Sequence, residues 1–311
     1  MTTITLVSKL RRNRSATAKI REPLGDRMFL VVVTIMLLVA LALVLLPLIY
    51  IVANSFSSPA AVNAGRVSFW PVDFSLEAYR SALSNSEVLR GYYNSLIYAV
   101  AGTMISVTLT VAIAYPLSRK TFYGRNVLMT LLVFTMLFSG GVIPTYMVVH
   151  DLGMLDTRWA LLIPNAIGVW QVIIARTFFA NSIPDELYEA AMLDGASEIR
   201  TLRSVVLPLS KPLLAVLALM YTIYQWNSYF DALVYLKDPD LYPLQIVLRN
   251  ILLLNTPRTG ATDLATQMHQ IQLANVLRYA LIVISSLPVL IIYPFVARHF
   301  TKGVMVGAVK G

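Results

Sequence analysis

Six long stretches of almost uncharged, apolar residues run through this chain, at 28–53, 94–116, 127–149, 159–179, 212–236 and 276–297. The hydrocarbon core of a bilayer is about 30 Å thick, so a crossing helix needs roughly 20 apolar residues, with its backbone polar groups paired internally. The pattern predicts an all-α, polytopic membrane protein with six transmembrane helices. Composition agrees, because 57% of the residues are hydrophobic and only 13% are charged, whereas a soluble domain carries about a quarter charged. A water-soluble enzyme is thereby excluded. The chain has no cysteine, which removes disulfide scaffolds, thiolate metal sites and cysteine nucleophiles. Its three histidines, His150, His269 and His299, lie far apart in sequence, and neither a catalytic nor a metal site is expected.

The net charge of +9 could suggest nucleic acid until the charges are located. With the N-terminus inside, the segments 1–27, 117–126, 180–211 and 298–311 hold 16 Lys and Arg, and the opposite segments 54–93, 150–158 and 237–275 hold 7. Basic residues stay on the cytoplasmic side, so both termini are expected there, in a bacterial cytoplasmic membrane. Residues 1–27 form a cytoplasmic N-terminal tail whose basic residues serve as an orientation signal, and 28–311 form the transmembrane domain. The first apolar run is too long for the core of a secretory signal and follows a polar stretch, so it is expected to be a retained span.

The connection 180–211 reads as two short helices. Ser182 can cap the first, Pro184 suits its first turn, and Asp185 and Glu186 suit the positive end of its dipole. Gly195 is placed to end it in a left-handed conformation. Ile199, Leu202, Val205 and Val206 make an apolar stripe on the second, and Pro208 closes it. Such a projection can dock into a groove on a soluble partner, with Ala190 and Ala191 allowing close approach and Glu189 pairing at the rim. On pattern alone it equally suits an amphipathic pair lying on lipid headgroups.

The residues carry more than pattern. Glu189-Ala190-Ala191, Gly195 four positions on, and Val205 with Leu207-Pro208 resemble the EAA signature of ABC importer permeases, with valine for the usual isoleucine. From about Tyr79 to the C-terminus, FSGGVIPTY (138–146), LGMLDT (152–157), WNSYFDALVYL (226–236), LYPLQIVLRNIL (241–252) and the ending KGVMVGAVKG look like the carbohydrate-uptake subfamily. Within it the chain is similar to the smaller permease of the maltose type, and more so to permeases for long plant and algal oligosaccharides. The N-terminal tail has no such match.

The resemblance implies a type I ABC importer transmembrane domain: one of two permeases in a heterodimer, with two cytoplasmic ATPases and an extracytoplasmic binding protein. It implies an ATPase-coupling set of Glu189, Ala190, Ala191, Asp194, Gly195, Leu207 and Pro208. A second contact falls to the C-terminal tail, with Lys302, Gly303 and Lys310. ATP and Mg would be bound by the partner ATPases, with no cofactor on this chain. The sequence agrees independently, since no G-x-x-x-x-G-K-[ST] loop, H-E-x-x-H or G-x-S-x-G occurs. The chain is read as a transport subunit rather than an enzyme.

The substrate path is less legible. The fifth run holds the polar and aromatic residues Tyr224, Trp226, Asn227 and Tyr229, which are expensive to point at lipid and suit a sugar. On helical geometry Trp226 and Tyr229 share a face, and Asn227 is turned about 100° away. Interhelical hydrogen bonds and an interfacial aromatic belt account for the same residues. Arg176 and Arg278, the basic residues inside runs, suit snorkelling or the carboxylates of an acidic oligosaccharide. Ser139-Gly140-Gly141 and Pro144 are expected to loosen or kink the third run. An ABC permease for a non-sugar solute, a gradient-driven transporter and a channel subunit remain as alternatives. The second lacks an evident intramembrane ionisable pair, Asp231 being the lone central acid.

Overall fold

The computed structural model describes residues 23–253 and 264–307. The chain divides into two units, Met1–Ile49 and Tyr50–Gly311. Most of α1 (Leu24–Ser55) belongs to the first, and the mean hydropathy of its apolar stretch reaches 3.3. The second unit opens with the short α2 (Pro59–Asn63) and α3 (Glu77–Ser84), followed by the long α4 (Ser86–Ser118). Next come α5 (Arg125–Leu137), α6 (Val142–Asp151), α7 (Trp159–Leu162), α8 (Val169–Ser182) and α9 (Asp185–Leu193). After α10 (Glu198–Thr201) a π turn, Leu202–Val206, leads into α11 (Leu207–Leu209) and α12 (Lys211–Trp226). The series ends with α13 (Phe230–Tyr235), α14 (Leu244–Leu253) and α15 (Leu264–Gly307). Among the described residues no strand forms, so the all-α expectation holds.

Several of the six runs are broken in the structure, the third of them at the expected kink. By length and composition α1, α4 and the 272–294 part of α15 can each cross a membrane, and the count reaches five if two sharply bent pairs are each one crossing. The third run is one such pair. Helices α5 and α6 meet at 115°, because Phe138 is extended and Gly141 takes φ 85 with ψ 177, a conformation open only to glycine. In the fourth run α7 stops before Pro164, whose ring cannot continue the helical ladder, and α8 starts only at Val169. The fifth run ends its helix at Trp226. There the backbone N–H and the side-chain Nδ2 of Asn227 both donate to Ile223 O, at 3.1 and 2.9 Å, and close the last turn.

Helix α4 is the centre of the second unit, packing on α12, α8, α14 and α15's neighbour α3. Glycines let two of these approach closely. A Cβ on Gly91 would lie 3.2 Å from Leu244 Cα, and one on Gly102 would lie 2.6 Å from the Gln225 side chain. One core gathers Val111, Ala114 and Tyr115 of α4 with Val172, Phe179, Tyr188 and Val206. A second packs Val88 and Ala99 against Trp226, Leu244 and Leu281, and a third packs Tyr98 against Leu161, Ala232 and Ile246. The last two are fastened by hydrogen bonds. Asn94 Nδ2 donates to Asp240 O and Tyr242 O at 2.8 and 3.1 Å, Tyr98 Oη donates to Leu241 O at 2.8 Å, and Leu244 N–H donates to Ser95 Oγ at 2.8 Å.

Candidate functional site

The projection between α8 and α12 is built as a corner. Helix α8 runs on through Ser182, so Ser182 does not cap α9 as expected; Pro184 holds that position and no side-chain cap is made. Asp185 and Glu186 do occupy the first turn of α9, where negative charge meets the helix dipole favourably. The helix closes on Gly195, at φ 71. Its N–H donates to Met192 O at 3.0 Å, and Ala196 N–H donates to Ala191 O at 2.9 Å. That pairing is the Schellman closure, and it turns the chain directly into Ser197, whose Oγ accepts from Arg200 N–H at 3.4 Å to start α10.

One face of this corner is committed to the protein itself. Tyr188 and Ala191 are buried, as is Val206, so the expected stripe divides and Val206 belongs to the core while Ile199 is 69% exposed. Ala191 is buried against the protein itself, and Ala190 is exposed, with Glu189, Met192, Leu193 and Asp194. Leu207 is half-buried against the first core and Pro208 is exposed. Pro208 does not close the second helix, which continues to Leu209 and meets α12 at 83°. A proline there would clash with the carbonyl four residues earlier. The preceding π turn, with Leu207 N–H donating to Leu202 O, widens the helix at that point.

Three side chains from the end of α4 and the residues after it hold the corner. Tyr115 Oη donates to Glu198 Oε2 at 2.6 Å, Lys120 Nζ donates to Asp185 Oδ2 at 2.7 Å, and the Arg119 guanidinium lies 3.5 Å from the Tyr188 ring centroid. The hydrogen bond from Lys120, with its charge, holds the Asp185 carboxyl below its usual range. None of these three residues stood out in the sequence. Tyr115 lies within an apolar run, and Arg119 and Lys120 read as an ordinary basic flank.

The candidate path residues do not form one face. Because the helix ends at Trp226, the shared-face relation of Trp226 and Tyr229 is lost. Trp226 is buried, edge-on to Tyr92 at 5.5 Å, and its Nε1 donates to Ser285 O at 3.0 Å. Asn227 is exposed beside it. Tyr229 packs with the third core, and Tyr224 Oη donates to Asp231 Oδ2 at 3.2 Å. Asp231 also accepts from Asn165 Nδ2 at 2.9 Å, so the lone central acid has two neutral partners. Trp226 and Asn227 instead line a cavity of about 510 Å³ with Gln245 and Arg249 of α14 and Ser285 and Ser286 of α15. Arg176 donates through Nε to Leu117 O at 3.4 Å, which accounts for it structurally. Lys302 and Gly303 fall in α15, with the Lys302 side chain outside the described residues, as is Lys310.

No family model matches the chain. It is 42% identical over 270 residues to protein LplC of Bacillus subtilis, spanning 87% of this chain and 90% of that one. A solved bacterial ABC transporter involved in the import of the acidic polysaccharide alginate superposes on it with a TM-score of 0.81. That match has 35% identity and covers 90% of this chain and 99% of the other. The polygalacturonan/rhamnogalacturonan transport system permease protein YtcP of Bacillus subtilis is 38% identical over 287 residues, spanning 92% of this chain and 99% of its own. The chain belongs to the ABC importer permeases. As a permease it is a transport subunit and not an enzyme, which is what the missing phosphate loop implied. The exposed corner carries the residues in which the sequence resembles the EAA signature.

Proposed function

We propose that this permease is one half of a heterodimer that imports acidic oligosaccharides across the bacterial cytoplasmic membrane by alternating access. Two cytoplasmic ATPases, which bind ATP and Mg, drive the cycle, and an extracytoplasmic binding protein delivers the sugar. The observation that carries the reading is the corner at Gly195. Its inner face is locked to α4, and its outer face presents Glu189, Ala190, Met192 and Leu193 with no partner among the described residues. Leu193 is 89% exposed; a side chain of that kind at the tip of a rigid projection suits a protein groove. Both termini are cytoplasmic in this reading, and the tail with Lys302, Gly303 and Lys310 makes a second ATPase contact.

The acidic class is supported by the alginate and polygalacturonan that two similar proteins are named for. Reconstituted complex, supplied with binding protein carrying uronate or neutral oligosaccharides, tests it by ATPase stimulation. Uronate oligosaccharides are expected to stimulate about tenfold more than neutral ones of the same length, a difference of about 1.4 kcal/mol. Equal stimulation, or stimulation by neutral sugars alone, would remove the acidic class while leaving the importer reading intact.

A further inference from the structure

The cavity between α12, α14 and α15 has an unusual balance of polar groups. Its volume, about 510 Å³, is in the range of about 300–1,000 Å³ typical of small-ligand sites. The donors around it are largely used within the protein. Trp226 Nε1 is spent on Ser285 O, and one of the two N–H groups of Asn227 Nδ2 on Ile223 O. The hydroxyls of Ser285 and Ser286 both donate to Ile282 O, at 2.9 and 2.8 Å. Beside the apolar side chains of Leu248, Ile282, Val289 and Leu290, the polar part of the wall offers the oxygen acceptors Asn227 Oδ1 and the two serine Oγ atoms, together with the Gln245 amide. Acceptors that have lost their own donors suit a ligand rich in hydroxyl groups.

Arg249 breaks this pattern. Its Nε is buried without a hydrogen-bond partner, and it forms no ion pair among the described residues. Helix α14 places it beside α4 and α15. A buried guanidinium N–H without a partner is costly, and the described wall of this cavity holds no acid. The guanidinium fork matches a carboxylate bidentately. One fixed cation among hydroxyl acceptors fits a sugar carrying one carboxylate.

We propose that this cavity is the subsite on the translocation path that takes one uronate unit, with Arg249 binding its carboxylate and Asn227 and Ser286 accepting from its hydroxyls. The inference rests on the acidic-oligosaccharide reading above and adds to it the side chains that recognise the charge. Because Asn227 is at a helix end and Ser286 is on a different helix, relative movement of α12 and α15 would open or close the subsite.

The test compares uptake of trigalacturonate and its methyl ester into proteoliposomes holding the whole complex, with the same binding protein throughout, so that its own preference cancels. Arg249→Gln is expected to lower the acid-to-ester uptake ratio about tenfold, with Arg249→Lys intermediate because it keeps the charge and loses the fork. Should R249Q fail to assemble, Asn227→Asp decides, since a nearly isosteric negative charge at the cavity should lower the same ratio. A wild-type complex with no preference for the acid sinks the acidic-substrate reading and this subsite with it. A wild-type preference that R249Q, or N227D in its place, leaves unchanged sinks the subsite alone, as does an equal loss for acid and ester.

Discussion

Gly195 shows how one residue sets a turn through backbone alone. Nothing lies within 4 Å of where its Cβ would be, so a substitution meets no clash, and the penalty comes entirely from φ 71. A left-handed conformation costs an ordinary residue roughly 1–2 kcal/mol, more for a β-branched one. Gly195→Val should therefore abolish sugar-stimulated ATPase while membrane levels stay normal, and Gly195→Asn should keep most of it, because asparagine tolerates this conformation. Equal activity of the two variants would show that the turn is not what matters. Glu189 is exposed and unpaired among the described residues. Glu189→Lys should weaken ATPase retention during purification at low salt, and the difference from wild type should shrink at high salt, as screening of a rim charge pair requires.

At the scale of elements, the relevant property is how closely helices approach. The Cβ of an alanine at Gly91 would lie 2.9 Å from Val247 Cγ2 and 3.2 Å from Leu244 Cα. The second of these is backbone and cannot rotate away. Gly91→Ala should push α14 off α4, costing about 1–3 kcal/mol, and thermal unfolding of the purified complex should show the loss. What the sequence revealed at this scale follows from what hydropathy measures. Long uniform runs such as 28–53 and 94–116 become α1 and α4, and the Gly195 corner was readable because glycine has a specific backbone use. The breaks at Pro164 and Asn227 sit inside runs whose apolar average hid them. That Arg249 and Asn227 line one cavity was invisible, because only folding brings α14 to the end of α12.

Across the whole molecule, polar staples join connections far apart in sequence. Asp156, itself at φ 58, accepts at 2.8 Å from the N–H groups of both Lys237 and Asp238, while its own N–H donates to Tyr235 O at 2.9 Å. The two backbone hydrogen bonds hold its carboxyl below the usual carboxylate range. A depressed native pKa contributes stability that is present above the unfolded value, about 3.9, and is lost as pH falls through the lowered native value. Asp156→Asn should accordingly lower the unfolding temperature at pH 7, and its difference from wild type should shrink on acidification below about pH 4 and vanish below the lowered native value. A constant difference across that window would show that the staple acts through shape rather than charge.

Helix α4 runs unbroken for 33 residues, about 50 Å at 1.5 Å per residue, and so exceeds the thickness of the hydrocarbon it crosses. One end is bolted to 240–244 and the other to Glu198. Such a member transmits displacement as a connecting rod does, without a joint in which motion could be absorbed. A displacement at the Glu198 corner is then carried to the 240–244 end. Tyr115→Phe removes the inner pin, worth about 1 kcal/mol for a hydrogen bond to an exposed carboxylate. It should lower the sugar moved per ATP hydrolysed and leave assembly untouched, like a linkage with backlash.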